Sequence, residues 1–132
     1  MQGSDEGTAV YCERIVSGVV ILSLRRSLRG HGEAGLRDRI DEWVRLGRSQ
    51  ILIDLAEVPF VDSTELGRLI RCHLSVRQAG GRVRLFNVSE PVRGLIRLSR
   101  LETVLDLYST EEEALAAVLV RSAGGPASGA EA

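Results

Sequence analysis

Apolar and polar positions along this chain follow two rhythms in turn. "VYCERIV" (10–16) and "GVVILSL" (18–24) are β-type runs joined at Ser17-Gly18, a dipeptide suited to a tight hairpin. From about Glu33 to Gly47 the spacing changes to helical, with Leu36, Ile40, Trp43 and Val44 on one face and Gly47 as a stop. "ILIDL" (51–55) is a short continuous apolar run, typical of a strand covered on both faces. After Asp62, Leu66, Leu69, Ile70 and His73 form a helical stripe that ends at Gly80-Gly81. "RVRLF" (82–86) alternates arginine with Val83 and Leu85, which predicts a strand with one face or edge in water. Ser89 opens a further helix, with Pro91 in its first turn and Val92, Leu95, Ile96 and Ser99 on one side. "VLDLY" (104–108) is a last strand, and "STEEEALAAVLV" (109–120) a last helix with Thr110 and Glu113 at capping-box spacing.

The order is hairpin, helix, strand, helix, strand, helix, strand, helix. Strands that alternate with helices are joined by crossovers, so the sheet is expected to be mostly parallel. The expected fold class is α/β: a single domain with a mixed, mostly parallel sheet of four to five strands, about four covering helices and an opening β-hairpin. Residues 1–8 are polar and expected to be flexible, residues 9–120 form the domain, and 121–132, "RSAGGPASGAEA", read as a disordered low-complexity tail.

Composition narrows the chemistry. The chain has 132 residues, 44% of them hydrophobic, enough for one core of its own. Its 17 basic and 18 acidic side chains nearly cancel, so no global field draws it to nucleic acid or to a membrane surface. All the basic residues are arginine. Cys12 and Cys72 are far apart and read as reduced thiols, and the acidic start "MQGSDEG" does not resemble a targeting segment. A soluble, cytoplasmic protein without direct membrane contact is the expectation.

Three enzymatic readings meet specific obstacles. "GHGEAG" (30–35) matches a dinucleotide-binding glycine pattern, with Asp54 at the end of the next strand. However, five residues, Arg25 to Arg29, separate it from the preceding strand, so the turn is not tight. The stretch around Asp54 also echoes a phospho-acceptor receiver, which needs a lysine and an acidic pair. Arg25-Arg26 occupy the place of the pair, and the chain has no lysine. The same absence excludes a Gly-Lys-Ser/Thr phosphate loop. His31 lies among glycines and His73 on an apolar stripe, where a satisfied core or boundary histidine is the simpler reading. No His and Cys cluster has zinc spacing. The arginines at 25, 26, 29, 37, 39, 45 and 48 are interleaved with Glu33, Asp38, Asp41 and Glu42, as on a solvated face laced with ion pairs. No metal, catalytic group or cofactor is expected.

"VDSTELG" (61–67) raises a different possibility. Asp62 suits an N-cap and Glu65 can close a capping box, which makes Ser63 and Thr64 merely polar first-turn residues. The same placement also suits a switch. A phosphate on a first-turn hydroxyl interacts favourably with unpaired N–H groups and the helix dipole. It nevertheless adds about two negative charges to the surface.

With "ILIDLAEVPFVDSTELGRLI", "RQAGGRVRLFNVSEPVRGLIRLSRLETVLDLYST" and "EEEALAAV" in this order, residues 10 to 120 resemble the STAS domain, the family of anti-sigma factor antagonists and sulfate-transporter tails. In that family the strand runs into Asp-Ser-Ser/Thr-Gly-Leu-Gly, and the hydroxyl before the first glycine is phosphorylated. The resemblance therefore implies Thr64, with Ser63 beside it, as the phosphorylation site. It implies Asp62, Ser63, Thr64, Glu65, Leu66, Gly67 and the loop residue Arg29 as the partner-binding set. The implied role is non-enzymatic. An unmodified antagonist binds an anti-sigma factor, often a serine kinase of the histidine-kinase-like ATPase fold; phosphorylation releases it and a serine phosphatase resets it. ATP and metal belong to those partners.

Two departures stand out. Glu65 replaces the family glycine after the phosphosite, where it is expected to add bulk and like charge in the path of a kinase. Arg26 and Arg29 occupy the Gly and Asp positions of the earlier loop. Glu65 and Arg29 favour a second reading, a STAS subunit without a phospho-switch, in a stress-signalling assembly or a lipid-transport ABC system. A small nucleotide-binding enzyme using "GHGEAG" and Asp54 is the third.

Overall fold

The computed structural model describes residues 10–25 and 32–124. Strands β1 (Val10–Val16), β2 (Val19–Leu24), β3 (Gln50–Asp54), β4 (Arg82–Phe86) and β5 (Asp106–Tyr108) form one sheet in sequence order. Helices α1 (Gly32–Arg45), α2 (Ser63–Gln78) and α3 (Glu90–Leu98) join β2 through β5, and α4 (Glu111–Gly124) follows. β1 pairs antiparallel with β2, and every later pair is parallel. The five-stranded mixed sheet and its opening hairpin agree with the sequence pattern.

The hairpin turn has positive φ at both central residues, Ser17 at 53° and Gly18 at 82°. That twist matches the flanking strands, which explains why a two-residue connection suffices. Because each crossover moves one strand further in the same direction, a common handedness places all three crossover helices on one face. Packing agrees. Val20, Leu22, Ile51, Ile53, Val83 and Leu85 meet α1, α2 and α3 in the larger core, through residues such as Ile40, Leu69 and Ile96. The alternate strand positions Val19, Ile21, Leu52 and Phe86 pack on Ala114 and Val118 of α4. Three helices thus cover one face and a single helix the other.

This asymmetry corrects the reading of "RVRLF". Arg84 is not at a wet face or edge: it is 1% exposed. β4 is an interior strand, paired with β3 and β5, on the sheet face where Leu52 and Phe86 pack against α4. Smaller differences concern element ends. β5 begins at Asp106 because Val104 and Leu105 are held in a turn by hydrogen bonds to the Leu101 carbonyl. At the start of α4, Thr110 Oγ1 accepts from the Glu113 N–H at 3.1 Å, but Glu113 reaches the Ser109 N–H at 3.0 Å rather than that of Thr110. α4 also continues beyond Val120, to Gly124.

Among the arginines of the basic stretch, Arg39 pairs with Glu13 and Glu42 and lies 5.2 Å from the Trp43 ring centre. Ion pairing across α1 and β1 thus accounts for part of that charge pattern. No helix among the described residues is long and apolar enough to cross a membrane.

Candidate functional site

The carboxyl ends of β2, β3 and β4 are tied together through Asp54. Its Oδ2 accepts from Ser23 Oγ at 3.1 Å, and its Oδ1 accepts from Asn87 Nδ2 at 3.1 Å and the Ala56 N–H at 2.9 Å. Asp54 is therefore a structural knot. Among the described residues the strand order contains no reversal at which a dinucleotide crevice forms, which speaks against such a site at Asp54. Gly30 and His31, like Arg26 and Arg29, lie outside the described residues.

From this knot the chain runs through residues 55–62 to α2. Buried Val58 and Val61 anchor the connection, while Phe60 between them is 57% exposed. Ser89, the N-cap of α3, donates from Oγ to the Pro59 carbonyl at 3.0 Å, which brings the starts of α2 and α3 to the same edge. The local sequence then begins α2. Asp62 has extended backbone, its Oδ1 accepts from the Glu65 N–H at 2.8 Å, and Glu65 Oε1 accepts from the Asp62 N–H at 2.9 Å. Both halves of the expected capping box are present.

Ser63 and Thr64 are exposed on the first turn of α2. Their N–H groups make no hydrogen bond among the described residues, because these positions precede the first carbonyl a helix can offer them. Two hydroxyls and two open donors therefore face solvent on a turn fixed from both sides.

Glu65 differs from expectation. At 3% exposure it is folded into the cap, so it does not obstruct the approach to Thr64. Leu66 is also 3% exposed and belongs to the larger core, so its side chain supports the turn from beneath and is not contact surface. The accessible members of the expected set are Ser63 and Thr64, with Asp62 and Gly67 partly so. Gly67 is informative: a Cβ there would meet nothing within 4 Å, so the fold itself does not require glycine at this point. Phe60 was not anticipated. Its only sequence signal is an aromatic after Pro59, where a buried role was equally compatible.

His73 on α2 is buried, with a hydrogen bond to the Val83 backbone and an Nδ1 that has no partner. Burial, reinforced by the Arg77 charge, lowers its pKa from the ordinary value. It lies in the packed interior as expected, but only half satisfied. Among the described residues no group of three or more His, Cys, Asp or Glu could hold a metal.

The comparisons agree with this geometry. The family model described as "STAS domain" matches residues 13–114. The anti-sigma F factor antagonist of Paenibacillus polymyxa is 29% identical over 99 residues, covering 74% of this chain and 85% of that protein. The crystal structure of a candidate anti-sigma factor antagonist from Thermotoga maritima superposes with a TM-score of 0.75 at 28% identity, over 82% of this chain and 93% of its own. The anti-sigma factor antagonist SpoIIAA in its unphosphorylated form superposes with a TM-score of 0.68 at 26% identity, over 81% of this chain and 94% of its own. The fold, the capped α2 turn and these matches lead to one conclusion: the chain belongs to the STAS domain family.

Proposed function

We propose that this protein is an anti-sigma factor antagonist that binds an anti-sigma factor, and that phosphorylation of Thr64 or Ser63 ends the binding. The observation that carries the reading is the exposure of both hydroxyls on a turn whose N–H groups are open and whose backbone is locked by the Asp62–Glu65 box. A phosphate there gains the helix dipole and those donors, so the fold keeps its shape while its surface becomes dianionic. The partner is an anti-sigma factor that is also a serine kinase of the histidine-kinase-like ATPase fold, and a serine phosphatase resets the antagonist. Exposed Phe60 and the open surface over Gly67 border the turn in sequence and supply apolar and close-approach contacts to the docked partner. The buried position of Glu65 supports this reading, since its side chain is folded into the cap and away from the exposed hydroxyls.

The solved structures of SpoIIAA include a phosphorylated form, which superposes with a TM-score of 0.64 at 25% identity. That a relative of this fold carries a phosphate and remains folded supports the same behaviour here. The test is a pull-down from native cells with unmodified protein, combined with mass spectrometry of the 61–71 peptide. Capture of a soluble kinase and a phosphate on Thr64 or Ser63 are expected. Capture of a membrane ATPase with no phosphate under any growth condition would favour the unswitched subunit instead.

A further inference from the structure

Arg84 is costly to keep where it is. Its guanidinium lies in the middle of an interior strand, with 1% of the residue exposed. Nη1 donates to Gln50 Oε1 at 2.9 Å, but Nε has no partner. The carboxylate opposite in register, Asp106, is already held by Arg82 Nη1 at 2.7 Å. Burial consequently lowers the Arg84 pKa, although it is still a cation at neutral pH. A buried charge without its own counter-charge is destabilising relative to an apolar side chain of similar volume, so filling space does not account for it.

Arg84 lines a cleft of about 440 Å³, together with Gln50, Arg77, Arg82 and the Gly80-Gly81 turn. That volume is within the range of about 300–1,000 Å³ typical of small-molecule sites. The lining carries three arginines and no carboxylate, since Asp106 is paired with Arg82 but does not line the cleft, and Gln50 retains its NH₂ as a donor because only its Oε1 is engaged. Planar guanidinium forks match tetrahedral oxyanions. The cleft lies at the starts of β3 and β4, the opposite end of the sheet from Asp54 and the α2 turn.

The geometry points to a binding site in this cleft for a small tetrahedral oxyanion, free or as the phosphate or sulfate head of a metabolite, with Arg84, Arg82, Arg77 and Gln50 as its ligands. The bound anion supplies the counter-charge that the chain withholds from Arg84. This site is separate from the phosphorylation turn and does not depend on the proposed switch.

The test is a ¹H–¹⁵N NMR titration of the full chain with inorganic phosphate, sulfate and ribose 5-phosphate at constant ionic strength. Saturable shifts are expected at the amides of Gly80, Gly81, Arg82 and Arg84. Arg77→Gln, an exposed change that leaves the core untouched, is expected to weaken binding by roughly tenfold. Arg84→Met should abolish it; if that variant does not fold, Arg77→Gln decides. Tighter binding of ribose 5-phosphate than of phosphate would identify a phosphomonoester as the ligand, and equal binding the free ion. Absence of saturable shifts, shifts confined to residues 62–66, or an Arg77→Gln affinity equal to wild type would overturn the assignment.

Discussion

Asp62 and Glu65 each accept a hydrogen bond from the other's backbone N–H, at 2.8 and 2.9 Å. This reciprocity turns a departure from the family pattern into part of the fold. The residue that replaces the family glycine points into the cap, and the hydroxyls between the two acids point out. The loss of either acid is therefore a structural event at the site, while the exposed surface of the turn is carried by Ser63 and Thr64.

Glu65→Ala is expected to destabilise the protein by about 1 kcal/mol, within the range of helix-cap deletions. Glu65→Gln, which keeps an acceptor for the Asp62 N–H, should cost clearly less. Urea unfolding of the two variants checks this; equal losses would mean that burial of Glu65 rather than the cap sets its contribution.

Thr64→Glu or Ser63→Glu is expected to leave stability within about 1 kcal/mol of wild type, because a first-turn acid meets the positive end of α2. Partner capture should nevertheless fall sharply. Thermal unfolding alongside the pull-down separates the two effects, and a variant that unfolds would contradict the exposed placement of these side chains. Leu66→Ala provides the contrast: as a core change it should cost about 2–5 kcal/mol, with any loss of binding following loss of folded protein.

Two glycines are expected to behave oppositely. A Cβ on Gly81 would lie 2.1 Å from the Ser49 carbonyl oxygen, a backbone atom that cannot swing aside. Gly81→Ala should therefore lower the melting temperature by many degrees. Gly67→Ala on α2 meets open space and removes a helix-interior glycine, which predicts a gain of up to about 1 kcal/mol. A weakened partner interaction in that stabilised variant would mark Gly67 as part of the docking surface.

His73 predicts a mild acid sensitivity. Its pKa is lowered in the folded protein from the ordinary 6.5, first by burial and then by Arg77. The unfolded chain therefore takes up a proton that the folded protein refuses. This contribution to stability is fully present above pH 6.5 and is lost as pH falls from there to the folded pKa, at up to about 1.4 kcal/mol per pH unit. Denaturation midpoints between pH 7.5 and 5 should fall less steeply in His73→Leu than in wild type; parallel curves would exclude His73 as the cause.

Much of the fold was legible because its elements are locally consistent. The positive φ values that Ser17-Gly18 adopts, the Asp62–Glu65 cap and the Ser89 cap all depend on residues within a few positions of one another. The same applies to the exposed Ser63 and Thr64, since first-turn geometry follows from where the helix starts. Arg84 was misread for the opposite reason. Alternation states which residues share a face of a strand, but not what covers that face, and here both α4, which covers it, and Gln50, which accepts from Arg84, are distant in sequence.

The chain's pattern of apolar positions, turns and caps by itself determined the order of elements, the mostly parallel sheet and the start of α2, because each rests on short-range backbone preferences and periodicity. Only the tertiary structure decided the burial of Glu65 and Leu66, the exposure of Phe60 and the gathering of Arg77, Arg82 and Arg84 around one cleft. Those outcomes depend on which elements come to lie against one another, and burial and electrostatic pairing act across that space regardless of distance along the chain.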